Sequence, residues 1–239
     1  MIEGGKQADG LISGGFFIIP DENQQLVECV LCPHRCRLKS GTLGRCRVRQ
    51  GGIRNIQTPF YGMVSSLAMD PIEKKPLYHY RPGSTIFSVG FAGCNLRCPF
   101  CQNWQISQST QIPLRHIGPQ ELVTMAQEAG SAGIAYTYSE PLVHVEYLLD
   151  AMAAAHKAGL ANVLVTNGCI LSEPAREILA LTDAANIDLK SFNETTYRDV
   201  LGGDLDTVCN FIRLAADQNT HIELTTLVVT DINDTMTEM

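Results

Sequence analysis

Cys94, Cys98 and Cys101 stand in a C-x3-C-x2-C arrangement, directly after the strand-like run Thr85-Ile86-Phe87-Ser88-Val89-Gly90-Phe91. Three closely spaced thiolates can hold three irons of a [4Fe–4S] cluster, whereas such cubes are ordinarily held by four. A three-thiolate site therefore leaves one iron free for a ligand that is not part of the protein. That open iron is the chemistry the triplet offers.

A second group, Cys29, Cys32, Cys36 and Cys46, reads C-x2-C-x3-C-x9-C. Four thiolates complete a site that suits structural zinc or an iron–sulfur cluster, and the spacing does not choose between them. His34, inside the group, is an alternative ligand. The ferredoxin run C-x2-C-x2-C-x3-C-P does not match. So small a unit has little core of its own, and a metal clip would help it fold. The remaining cysteines, Cys169 and Cys209, lie in apolar settings and read as buried structural residues.

The bulk numbers restrict what surrounds these groups. The chain has 239 residues, 45% apolar and 18% charged, enough for one large α/β domain with a small appendage. Its net charge of −7 disfavours a nucleic-acid partner. No apolar run is long enough to span a bilayer, so no membrane partner is expected. The start lacks the basic region of a signal peptide, and we read the chain as cytoplasmic. Nine cysteines in a long chain without a secretory signal then indicate reduced, metal-binding thiols rather than disulfides.

The elements that must position the triplet follow from periodicity. Residues 1–56 hold a leader and the Cys-rich segment, and residues 57–83 read as a proline-bearing connector with little periodicity. The core is expected over residues 84–239. Strands are predicted over 85–91, 133–138, 162–166, 185–189 and 222–229. Helices are predicted over 119–129, from Pro141 to Gly159, over 173–181 behind a Ser172 cap, and over 193–200 and 205–217. Strands alternating with helices imply βαβ units and a parallel sheet. The expected fold is α/β, a partial parallel (β/α)6-type barrel with an N-terminal Cys-rich metal-binding segment. A closed eight-strand barrel would need more chain. The last residues read as the start of a helix, and we expect the C-terminus to be truncated.

Ligands of parallel α/β folds bind at the carboxyl ends of strands. Those ends carry Cys94, Cys98 and Cys101, then Tyr138-Ser139-Glu140-Pro141, then Thr166-Asn167, then Asp188-Leu189-Lys190. Simpler readings exist for each. Glu140 could only favour the helix start after it, and Asp188 with Lys190 could be a structural ion pair. His144 and His156 are placed away from the rim, Glu73-Lys74-Lys75 reads as a solvated charge run, and Trp104 is expected to pack.

With these motifs in this order, the chain resembles the radical S-adenosylmethionine (SAM) superfamily, and within it the activating enzyme of pyruvate formate-lyase. The resemblance implies that Cys94, Cys98 and Cys101 hold a [4Fe–4S] cluster whose open iron chelates SAM. It implies reductive SAM cleavage to a 5′-deoxyadenosyl radical that abstracts hydrogen. Phe100 would contact the adenine. Ser139-Glu140-Pro141 stands where the family has a Gly-Gly-Glu-Pro-like turn for the SAM amino group, with Tyr138 and Ser139 replacing the glycines. Thr166 and Asn167 would face the ribose or methionyl part, and Asp188 and Lys190 would lie near SAM.

The Cys-rich start and the stretch Ile72-Glu73-Lys74-Lys75-Pro76-Leu77-Tyr78-His79 resemble one branch, the radical SAM protein of the AmmeMemoRadiSam system. That branch implies Ammecr-type and Memo-type companions. A one-electron reductant such as flavodoxin or ferredoxin is also implied, with a protein among the expected substrates. Two other functions compete. One is radical SAM modification of RNA or a small metabolite. The other is a non-catalytic iron–sulfur or zinc interaction protein, against which the repeated βα units argue.

Overall fold

The computed structural model describes residues 12–20 and 25–238. Residues 1–11 of the expected leader lie outside the described residues. A seven-stranded sheet organises the rest. Its strand β1 (Met63–Pro71) runs antiparallel to β2 (Thr85–Phe91), and Arg115–His116 pairs with the far edge of β1. From β2 the sheet continues in parallel through β3 (Gly133–Thr137), β4 (Ala161–Thr166), β5 (Ala184–Asp188) and β6 (His221–Thr225). The five expected parallel strands are present and lie side by side in chain order. All five residues of β3 are buried, as expected where both faces of a parallel strand are covered.

Four helices connect them: α1 (Pro119–Glu128), α2 (Val145–Lys157), α3 (Ser172–Leu179) and α4 (Leu205–Asp217). Proline opens α1, where its missing N–H costs nothing. Asp204 caps α4 by accepting from the Thr207 N–H at 2.7 Å. Gly159, at φ +74°, lets the chain leave α2.

The two faces of the sheet are covered differently. Phe87, Val89, Tyr136 and Leu164 point to the helices and share a core with Leu122, Leu148 and Met152. On the other face Ile86, Ala135, Val163 and Ala184 meet Ile72 and Leu77 instead. Period-2 alternation separates the two sets along each strand.

Several boundaries differ from expectation. The residues read as a connector include the nine-residue strand β1 and the 3-10 turn Ile72–Lys74, of which Ile72 is buried. Partly polar, mixed burial along Met63–Pro71 hid the strand, since one edge is only lightly covered. Pro141 opens a 3-10 turn, Pro141–His144, before α2 begins. Leu171, not Ser172, is the cap of α3. The helix expected over 193–200 is present, with π-helical geometry over Thr196–Leu201. β6 ends at Thr225, short of Val229.

The Cys-rich segment folds as two small antiparallel sheets. Leu26–Cys29 lies between Phe17–Ile18 and Arg37–Lys39, and Ile56–Gln57 between Ser13–Gly14 and Gln50–Gly51. Val27, Leu31 and Ile56 join the helix-side core. Arg49, 1% exposed, ion-pairs with Glu146 of α2 at 2.7 Å and donates to the Gly15 carbonyl at 2.7 Å. Among the described residues no helix is long and apolar enough to cross a membrane.

Candidate functional site

The carboxyl ends of the parallel strands open on one cleft of about 360 Å³, within the size range of small-molecule sites. Cys94, Cys98, Phe100, Cys101, Ser139, Glu140, Thr166, Asn167, Asp188 and Lys190 all line it. Every cleft residue expected from the sequence is therefore brought to one place. Ile72 and Leu77 fill the helix-free face of the sheet near the strand starts. Thr137, Val165 and Asn186, two residues further along that face, line the cleft above them.

The Cys94 loop follows β2 through Gly93, whose φ of +84° suits glycine. A Cβ there would also run into the Cys46 carbonyl. The Cys94 sulfur accepts from the Leu96 N–H at 3.3 Å, and Asn167 Nδ2 approaches it at 3.7 Å. Cys101 Sγ lies 3.3 Å from Ser107 Oγ. Burial raises the pKa of Cys94 and, less strongly, that of Cys98. Without a metal these two thiols stay protonated, so loading a metal releases protons.

Glu140 is 1% exposed and engages both carboxylate oxygens. It accepts from Thr166 Oγ1 at 2.6 Å, from the Asn167 N–H at 2.8 Å and from the Leu142 N–H at 3.1 Å. Burial pushes its pKa up to about 7, against these hydrogen bonds. The helix-start role is thus realised, and the same side chain also ties the end of β3 to the end of β4. Thr166 and Asn167 turn their polar groups toward Glu140 and the Cys94 loop.

Tyr138 and Ser139, which stand where glycines were expected, have φ +50° and +65°. Two successive left-handed residues with side chains cost backbone energy. Three contacts hold them. Ser139 Oγ donates to the Gly93 carbonyl. The Phe91 N–H donates to the Tyr138 carbonyl at 3.3 Å. The Lys75 ammonium lies 4.7 Å from the Tyr138 ring centroid and donates to its hydroxyl at 3.2 Å. Lys75 is 1% exposed and bonded to Asp70 at 2.7 Å. The stretch read as a solvated charge run thus contains a buried ammonium that supports the turn.

Asp188 and Lys190 form an ion pair at 2.9 Å within the cleft. Burial alone would lower the Lys190 pKa, but the Asp188 carboxylate raises it, so the ammonium stays charged beside the cysteines.

Other residues were misplaced or missed. His144 does not line the cleft, but it is buried rather than solvated, with Nε2 2.8 Å from the Ala92 carbonyl, and burial lowers its pKa to about 4. A neutral imidazole donating to that carbonyl is the arrangement this implies. Trp104 is 60% exposed and does not pack. Cys169 is buried as expected, whereas Cys209 is only half-buried. Asn95 was missed altogether. It is fully buried, accepts from Asn167 Nδ2 at 3.0 Å, donates to the Cys169 carbonyl at 2.7 Å, and its own carbonyl meets His34 at 2.8 Å. Its place between two cysteines of the motif was the one available signal.

The donor set fits an iron–sulfur cluster: three free thiols, buried N–H donors to sulfur, and a fixed cation beside them. Among the described residues no three His, Cys, Asp or Glu groups converge on a single metal ion.

An uncharacterised protein of Methanocaldococcus jannaschii is 39% identical to this chain over 221 residues, covering 92% of this chain and 65% of that protein. Pyruvate formate-lyase 1-activating enzyme of Escherichia coli K12 is 26% identical over 155 residues, 62% of this chain and 63% of the enzyme. The chain thus spans just under two thirds of the length of these curated relatives. A solved domain of a pyruvate formate-lyase-activating enzyme from Bacteroides vulgatus covers 45% of this chain and 67% of its own, at 20% identity and TM-score 0.41. A likeness that loose carries no argument. The family model described as the radical SAM superfamily matches residues 88–239, which run from within β2 through every cleft-lining strand end, and to that superfamily the chain belongs.

Proposed function

We propose that the cleft binds a [4Fe–4S] cluster through Cys94, Cys98 and Cys101, with SAM beside it. The observation that carries this reading is the convergence in one cleft of three free thiols, the Glu140-centred network and the Lys190–Asp188 pair. When bound, cluster and SAM together supply reductive cleavage to a 5′-deoxyadenosyl radical able to abstract hydrogen.

The chain's own residues hold and orient. Cys94, Cys98 and Cys101 give up their protons on binding metal. The Lys190 ammonium offsets part of the added negative charge in a place where water is scarce. Glu140 fixes the Ser139 turn, Thr166 and Asn167 as one unit, so the donors facing SAM do not have to be ordered at binding. Phe100 offers an apolar face in the cleft for the adenine.

A protein substrate, in the manner of the activating enzymes, is the favoured hydrogen donor, on the 26% identity to one of them. Flavodoxin or ferredoxin is the proposed reductant. The AmmeMemoRadiSam branch, with its Ammecr-type and Memo-type companions, is the proposed subtype, on the Cys-rich start and the 72–79 stretch. The test is anaerobic reconstitution with iron and sulfide, followed by dithionite and SAM. 5′-Deoxyadenosine and methionine are expected in equal amounts. A cluster-loaded chain that leaves SAM intact overturns the reading.

A further inference from the structure

We infer that Cys29, Cys32, Cys36 and Cys46 hold a metal centre of their own, zinc or an iron–sulfur cluster, with Arg45 and Arg49 beside it and the back of the Cys94 loop against it. All four cysteines are free and line one cavity, together with those two arginines. Cys29, Cys32 and Cys46 are buried.

Two features point to bound metal rather than to inert thiols. The first is hydrogen bonding to sulfur. Cys36 Sγ accepts from the Arg45 N–H at 3.4 Å. Such a donor favours sulfur that carries charge.

The second feature is buried positive charge left partly unsatisfied. Arg49 spends its terminal nitrogens on Glu146 and the Gly15 carbonyl, but its buried Nε has no partner. The buried Arg45 Nε has none either. Unpaired buried donors are costly, and four thiolates in the same cavity would compensate them.

The location ties this centre to the cleft without placing it there. The Cys46 carbonyl packs on Gly93, and His34 bonds the Asn95 carbonyl at 2.8 Å. Loading the second centre would thus stiffen the loop that carries Cys94.

The inference stands apart from SAM cleavage, because its test removes the cleft cysteines. The triple variant Cys94→Ala, Cys98→Ala, Cys101→Ala, prepared anaerobically and loaded in parallel with iron plus sulfide and with zinc, should retain metal: about four irons with matching sulfide, or about one zinc, per chain. Adding Cys36→Ser, at the half-buried member of the set, should abolish or sharply reduce that metal while circular dichroism stays near that of the triple variant. Should the added substitution unfold the chain, the unmodified protein gives a second readout: it should bind about four irons or about one zinc beyond the cube held by the cleft cysteines. A triple variant free of both iron and zinc overturns the inference.

Discussion

Glu140 is the residue whose environment most conflicts with its charge, and the conflict can be measured. Its pKa rises from 4.5 to about 7 because burial disfavours the carboxylate more than its three donors favour it. A carboxyl held above its unfolded pKa gives stability that is complete below about pH 4.5 and is lost as pH rises through about 7. The full difference is worth about 3 kcal/mol. Buried His144 acts in the opposite direction on the acid side, so the wild type alone would blur the effect. Urea unfolding of the cluster-free chain and of Glu140→Gln, compared at pH 5 and pH 8, isolates it. The wild type should lose about 2–3 kcal/mol more than the variant over that range. A neighbouring residue gives a second test. Ser139→Ala keeps the left-handed backbone but deletes the bond to Gly93, and should cost about 1 kcal/mol. Ser139→Gly loses the same bond while relieving the backbone, and should be close to neutral in thermal melts. At this scale the cysteine spacing was readable because it is local in sequence. The roles of Asn95, Lys75 and His144 were not, because each depends on a partner at least 50 residues away.

Elements that alternate regularly were readable; those that depend on an edge or a partner were not. The parallel strands β2 to β5 are buried along almost their whole length, and Pro119 opens α1 and Gly159 ends α2 where expected. β1 was missed because it pairs antiparallel along β2 and buries only part of its length. The Cys-rich segment shows the same dependence on partners. Its small sheets have little interior, and the buried Arg49–Glu146 pair fastens them to α2 across 97 residues of sequence. Removing one member of a buried pair leaves the other charged and unpaired, at a cost of about 3–5 kcal/mol. Arg49→Met should therefore lower stability by that order in chemical denaturation. Limited proteolysis should cut first within residues 25–57. Loss of stability without early cleavage there would mean that the pair serves the core and not the attachment.

Across the whole molecule, what the sequence left hidden is how the cleft acquires a floor. Six strands with helices on one side would leave the other face bare near the strand starts. The segment after β1 returns across that face and buries Ile72 and Leu77 against Ile86, Ala135, Val163 and Ala184. Its backbone is then tied down at both ends. Gly83 N–H donates to Glu73 at 2.6 Å, Asn186 Nδ2 donates to the Pro76 carbonyl at 3.0 Å, and Glu223 of β6 accepts from the Tyr78 and His79 N–H groups. One short stretch thus joins β6 to the opposite side of the sheet, and places Lys74 and Pro76 on the cleft wall with Lys75 under Tyr138. The motif Ile72-Glu73-Lys74-Lys75-Pro76-Leu77 looked polar because half of its residues face the cleft or the surface. Its apolar members carry the packing. Leu77→Ala should cost about 2–5 kcal/mol, the range for a fully buried leucine that leaves a cavity. A floor shared with the cleft predicts a second consequence. At a temperature where the variant remains fully folded, SAM binding measured by calorimetry should weaken several-fold, although Leu77 does not line the cleft. Unchanged SAM affinity in a folded, destabilised variant would separate the floor from the site above it.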